Sequence, residues 1–176
     1  MGVIEKFHNN GKIKERYTVD EKGKIQGVYR MWHSNGQLGF EANFVNNKRD
    51  GVCLTWHRNG VQYKKSNHRK GMLHGVQEEW FDTGQLRVRA HYENNKKEGL
   101  LEIFHPNGKL SERIEYKNDK YHGSFEIFHP NGKQCDKCHY INGERNRTRE
   151  IWDAAGNLVF KGIYEDNFLK ETIIDN

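Results

Sequence analysis

The stretch Gly27-Val28-Tyr29-Arg30-Met31-Trp32-His33-Ser34-Asn35-Gly36-Gln37-Leu38 decides the fold, because its pattern returns along the chain at a fixed interval of 24 residues. Glycine recurs at Gly27, Gly51, Gly75, Gly99 and Gly123, and an aromatic at Trp32, Trp56, Trp80, Phe104, Phe128 and Trp152. A second glycine recurs at Gly36, Gly60, Gly84, Gly108, Gly132 and Gly156. A period of this length marks a repeat array, in which one supersecondary motif cannot bury its apolar face alone and stacks on its neighbours.

Upstream, residues 2–11 match residues 27–36 position for position, with one residue inserted near Lys22-Gly23. Seven repeats therefore cover 2–170, beginning near residues 2, 27, 51, 75, 99, 123 and 147. Residues 171–176 read as the start of an eighth repeat that stops, a C-terminal capping strand or tail.

Each repeat holds two runs of about seven residues separated by turn residues, the signature of a hairpin. The first turns include Ser34-Asn35-Gly36, Arg58-Asn59-Gly60, Pro106-Asn107-Gly108 and Pro130-Asn131-Gly132. Proline selects the turn type. A two-residue Asn-Gly loop would place Pro106 and Pro130 in the ladder, where an N–H is needed. A three-residue loop, type I with glycine in the left-handed region, puts proline where its fixed φ is favourable.

Alternation along the second run places Leu38, Phe40, Ala42 and Phe44 on one face. The last position becomes Tyr92, Tyr116, Tyr140 and Tyr164 in later repeats, with His68 as an exception. Counting by two back from the Trp/Phe column puts Val28, Val52, Val76 and Leu100 on that same face, and Met31, Ile103, Ile127 and Ile151 on the other. The expected fold is all-β, an open single-layer antiparallel solenoid of stacked β-hairpins with about fourteen strands.

Hydrophobic content of 34% with 30% charged residues is lean for a globule with a central core, while 12% aromatics at regular positions argues against disorder. No window approaches the roughly eighteen apolar residues of a spanning helix, and no signal-peptide core follows Met1. Cys53, Cys135 and Cys138 are an odd number, which favours free thiols. The expectation is a soluble protein of the cytoplasm or another reducing intracellular compartment.

The repeated pattern of glycine, Trp or Phe, His or Phe, Asn-Gly, Leu and a closing Tyr resembles the MORN repeat, and more closely its longer variant in which Asn-Gly closes each hairpin. The resemblance covers residues 2–170. It departs at His68 in the third repeat and at Arg147, where the seventh lacks its leading glycine. It implies a rod of successive antiparallel hairpins with roles in protein scaffolding, in membrane apposition or in bacterial proteins described as antitoxins. Arrays of the variant also abound in large DNA viruses.

No catalytic constellation stands out, and the expectation is not an enzyme, with no cofactor and no metal. The column His8, His33, His57, His105 and His129 invites a metal. Successive members lie two strands apart, roughly 9.6 Å, against metal–ligand bonds of about 2 Å. Cys135-x-x-Cys138 lies on one strand, where residues three apart point to opposite faces. The recurring Glu78, Glu102, Glu126 and Glu150 form a repeat column rather than an acid–base pair.

Two columns remain as candidate interaction sites. The aromatic side offers Tyr92, Tyr116 and Tyr140 with Trp56, Trp80 and Phe104, either as anchors for a protein partner or as internal packing between hairpins. Lys65, Arg89, Arg113, Lys137 and Lys161 on the other face, in a chain of net charge +5, suit anionic lipid or nucleic acid, or else pair with the glutamates. The leading expectation is a non-catalytic protein-protein interaction or scaffold module, self-association included. Peripheral binding of anionic membranes or nucleic acid is the rival, and neutralisation of a toxin or service in a large assembly the third.

Overall fold

The computed structural model describes residues 1–175; Asn176, the end of the expected capping segment, lies outside them. Strands β1 (Gly2–Phe7), β2 (Ile13–Val19), β3 (Ile25–Trp32), β4 (Leu38–Val45), β5 (Lys48–Trp56), β6 (Gln62–Arg69), β7 (Met72–Leu73) and β8 (Gly75–Trp80) come first. They are followed by β9 (Leu86–Glu93), β10 (Lys96–Phe104), β11 (Leu110–Lys117), β12 (Lys120–Phe128), β13 (Gln134–Ile141), β14 (Glu144–Trp152), β15 (Leu158–Glu165) and β16 (Phe168–Asp175). They form one open antiparallel sheet in chain order, with the short β7 pairing β6 off the main path. Among the described residues there is no helix.

Sixteen strands replace the fourteen of seven simple hairpins for two reasons. The first strand of the fourth repeat is split at His74 into β7 and β8, and β16 adds a closing strand beside β15.

Two kinds of turn alternate. In the three-residue turn of the second repeat, His33 N–H donates to Gln37 O at 2.8 Å and Gly36 N–H donates back to His33 O at 2.8 Å. Gly36 has φ 95°, the left-handed region that a side chain would disfavour. Pro106 and Pro130 sit directly after the first residue of this turn, where no N–H is required. The other turns have two residues, both left-handed: Asn46 and Asn47 at φ 51° and 65°, Asn118 and Asp119 at 50° and 65°. This is the geometry of a type I′ hairpin, and Asn and Asp tolerate it better than other side chains. The first repeat instead uses a three-residue loop closed by Asp20 N–H to Lys24 O at 2.9 Å, which takes up its extra residue.

The register corrects the expected faces. Gly27 pairs with Phe44, Tyr29 with Ala42 and Met31 with Phe40, while Val28 pairs with Asn43. Directly opposed residues share a face. Tyr29 and Met31 therefore belong with Phe40, Ala42 and Phe44, as Leu101 belongs with Ile114 and Ile103 with Glu112. Val28, Val52, Val76 and Leu100 lie on the opposite face, 40–47% exposed. The count by two failed because a β-bulge between Met31 and Trp32, repeated between Ile103 and Phe104, shifts the alternation by one residue.

The chain divides into two compact units. The first comprises Met1–Leu86 with Glu93–Asn95. Its buried row runs directly across strands through Ala42, Cys53 and Ser66, small side chains flanked by larger ones. Tyr29 stacks on Tyr17 with ring centroids 5.0 Å apart and meets Phe44 at 5.6 Å, closing over that row. The second unit comprises Arg87–Tyr92 and the chain from Lys96 onward. Its core is Ala90, Leu101 and Ile114, with Tyr92, Ile103, Tyr116, Tyr121 and Phe125 packed against it. A single layer thus acquires a core by leaning long side chains over a row of shorter ones.

Candidate interaction faces

The rungs between successive repeats use side chains at the turns. Asn35 serves both its own turn and the next: its Oδ1 accepts Gln37 N–H at 3.1 Å, and its Nδ2 donates to Arg58 O at 2.8 Å. Asn10, Asn107 and Asn131 repeat the arrangement, donating to Ser34 O, Pro130 O and Ala154 O at 2.7–2.9 Å. The histidine column does likewise. His8, His33, His105 and His129 reach the carbonyls of Trp32, Trp56, Phe128 and Trp152 at 2.8–3.0 Å. A carbonyl only accepts, so Nε2 carries the proton and has no lone pair to offer a metal. His57 differs, its Nε2 buried with no hydrogen-bond partner among the described residues and its ring tilted against Tyr63 at 4.9 Å.

At the opposite sheet margin the two-residue turns dock on one another. Asn47 N–H donates to Ile25 O at 3.1 Å, and Asn47 Oδ1 accepts Ile25 N–H at 2.6 Å, so the side chain acts as a further strand carbonyl. Asn95, Asp119 and Asn167 make the same pair of bonds. A third rung comes from a column that sequence reasoning missed: Gln26, Asp50, Glu98 and His122 accept the first N–H of the turns at Asn46, Lys70, Asn118 and Asn142. Its sequence signal was an acceptor-bearing residue at every such position, His74 and Asn146 included.

The candidate anchors lie largely inside this packing. Tyr116 meets Tyr121 edge-on at 5.1 Å, and the Lys97 ammonium stands 4.8 Å above its ring. Burial, with a hydrogen bond to Tyr121, pushes its phenol pKa well up. Tyr140 meets Tyr121 at 5.2 Å and Phe125 at 5.6 Å, with the Arg145 guanidinium 5.7 Å from its ring. Tyr92 packs against the Ala90–Leu101–Ile114 cluster, and Trp56, Trp80 and Phe104 are half-buried.

The basic column faces the glutamate column across adjacent strands. In the second unit Arg113 Nη2 lies 3.3 Å from Glu102 and Lys137 Nζ 3.4 Å from Glu126. Lys161 Nζ lies 2.8 Å from Glu150, and Arg89 stands 3.9 Å from Glu102. In the first unit Lys65 is in register with Glu78. The glutamates are the less exposed partners, Glu102 at 18% and Glu126 at 15% against 44% for Arg113 and 53% for Lys137. The face is thus an alternating ladder of charge rather than a track of one sign.

A further ion pair sits on the ring-bearing face, where Arg149 holds Asp136 through both its Nε and its Nη2, the latter at 2.6 Å. Asp136 is 8% exposed. Between Cys135 and Cys138, this carboxylate also helps burial raise both thiol pKa values, a setting that suppresses thiolate chemistry. All three cysteines are free. Among the described residues no group of three or more His, Cys, Asp or Glu side chains is placed to hold a metal ion, and no helix is long and apolar enough to cross a membrane.

A stack of antiparallel hairpins with side-chain rungs at both turn margins defines a β-hairpin repeat protein. A family model described as "MORN repeat variant" matches residues 25–46, 73–94, 97–118 and 121–142. These segments make up half of the chain, and the protein belongs to that family. The third repeat, which carries His68, is outside the matched segments yet pairs β5 with β6 in the same register as its neighbours. A search of curated proteins gives no match.

Proposed function

We propose that the protein is a non-catalytic protein-binding or scaffold module that docks a partner on the face opposite its packed rings. One observation carries this reading: in the first unit Val3, Val28, Val52 and Val76 occupy the same repeat position and are 59%, 46%, 45% and 40% exposed. These side chains lie outside the buried core of their own unit, and large exposed apolar side chains repeated along one face offer the kind of surface that interaction sites use. The tyrosines, by contrast, are engaged by rings and cations of their own chain. This favours the valine row over Tyr92, Tyr116 and Tyr140 as the contact surface.

The test compares wild type with the Val28→Ser/Val52→Ser/Val76→Ser variant in quantitative capture of partners from native material. Circular dichroism checks the fold. Loss of a specific partner by the folded variant supports the reading, and unchanged capture overturns it. Cosedimentation with anionic vesicles and oligonucleotides runs in parallel. Binding that falls steeply with salt and is lost with Arg113→Ala would instead favour the basic column.

A further inference from the structure

Six Asn-Gly dipeptides occur in the chain, at Asn10, Asn35, Asn59, Asn107, Asn131 and Asn142. Asn-Gly is the dipeptide most prone to spontaneous deamidation, because glycine has no Cβ to hinder attack by its own nitrogen on the preceding side-chain amide. The reaction needs a free glycine nitrogen and an asparagine side chain able to turn its Cγ towards it. Every one of the six glycine nitrogens donates to a carbonyl, at 2.7–2.9 Å. That restraint is common to all and does not distinguish them.

The side chains do. Five of the six lie in three-residue turns, and each is held at both ends of its amide. Their Oδ1 atoms accept the N–H two residues on at 2.9–3.1 Å. Their Nδ2 atoms donate to a carbonyl of the following repeat, at 2.7–2.9 Å for four of them and 3.5 Å for Asn59. Asn142 is different. It lies in the two-residue turn between β13 and β14, is exposed, and its side-chain amide makes no hydrogen bond among the described residues.

We propose that Asn142 is the site at which the folded protein deamidates. The Gly143 nitrogen leaves its bond to Tyr121 O and attacks Asn142 Cγ. The new C–N bond closes a succinimide, the Cγ–Nδ2 bond breaks, and the amide nitrogen departs as ammonia with the proton from Gly143. Water then opens the ring to aspartate or isoaspartate. The product adds a negative charge beside Glu144, and isoaspartate lengthens the turn backbone by a methylene. Both changes load the rung from Gly143 to Tyr121 that joins this turn to the preceding repeat. At the other five positions two further side-chain bonds must break before attack, so reaction there waits on local opening.

The experiment is peptide mapping by mass spectrometry after incubation at mildly alkaline pH, on the folded full chain and on the chain in concentrated urea. In the folded protein, the peptide from Cys138 to Arg145 should convert at least about tenfold faster than any peptide holding the other five sites, whose protection reflects local opening equilibria. In urea all six should convert at comparable rates. Folded-state conversion at any of the five as fast as at Asn142 overturns the proposal, as does an Asn142 protected to the same degree as the rest. The Asn142→Ser variant, which keeps a residue of similar size at the turn, should abolish the fast phase.

Discussion

Replacing Asn131 with alanine removes two bonds from one turn at a site where little else changes. The side chain is exposed; its Oδ1 accepts Lys133 N–H at 2.9 Å, and its Nδ2 donates to Ala154 O at 2.7 Å, the second bond crossing to the next repeat. Each hydrogen bond contributes about 1 kcal/mol net, and the groups left behind are open to water, so no large desolvation penalty is added. Asn131→Ala should therefore destabilise the second unit by about 2 kcal/mol. Asn131→Asp keeps the acceptor and loses the donor, placing a carboxylate beside the Ala154 carbonyl, and should cost at least as much as the loss of the inter-repeat bond alone. Asn9→Ala is the control, since Asn9 stands in the equivalent turn of the first repeat and its side chain makes no hydrogen bond among the described residues. Urea unfolding followed by far-ultraviolet circular dichroism measures the difference. If Asn131→Ala lies within the error of wild type and of Asn9→Ala, the asparagine ladder contributes nothing to stability and the account of the turns is wrong.

Two further outcomes follow from the geometry. Gly108 has φ 81° and open space where a Cβ would lie, so Gly108→Val should cost about 1–2 kcal/mol from backbone strain alone, well beyond the effect of Pro106→Ala; equal small shifts in Tm would refute the left-handed assignment. Burial first, then the nearby charges of Arg49 and Lys64, hold the His68 pKa below its ordinary value of 6.5, so the unfolded chain binds the proton more readily. Its stabilising contribution is complete above that value and declines as pH falls through it towards the lower folded value. His139 acts in the same direction. His68→Tyr, which restores the residue type of this column, should flatten part of the acid limb of a Tm-versus-pH profile, and an unchanged slope would refute the assignment.

The hairpins and the chemistry of one turn were legible in the sequence because they are local. Pro106 and Pro130 forbid the tight two-residue alternative, and the glycine at a fixed place after them needs only its own φ to explain it. The faces were not legible in the same way. A bulge between Met31 and Trp32 leaves no mark in composition, since either residue is at home on a buried or a half-buried surface, and valine at position 28 is a good strand former whichever way it points. Period-two reading carries no information about a bulge inside the run being counted. The charge columns were visible, but only the register of Arg113 against Glu102, and of Lys137 against Glu126, shows that they neutralise one another.

The rungs between repeats explain why side chains recur at positions that a lone hairpin would leave free. A hairpin closed by Ser34-Asn35-Gly36 requires the glycine and favours the asparagine, but its backbone turn requires neither His33 nor the donor half of the Asn35 amide; their bonds to backbone carbonyls go to the next repeat, at Trp56 O and Arg58 O. The same holds at the other margin, where Asn47 Oδ1 completes the strand edge at Ile25 and Gln26 accepts from Asn46. Each repeat is therefore specified twice, once by its own turn and once by its neighbour. The side chains of Val28, Val52 and Val76 meet neither requirement: on their face the neighbouring Asn43 and Asn67 donate to the backbone carbonyls of Asp50 and Val76, and the charged columns pair with each other. On the proposed reading, side chains freed from both the turn and the stack are the ones available to a partner, so mutation of the valine row, rather than of the tyrosines, should separate binding from folding.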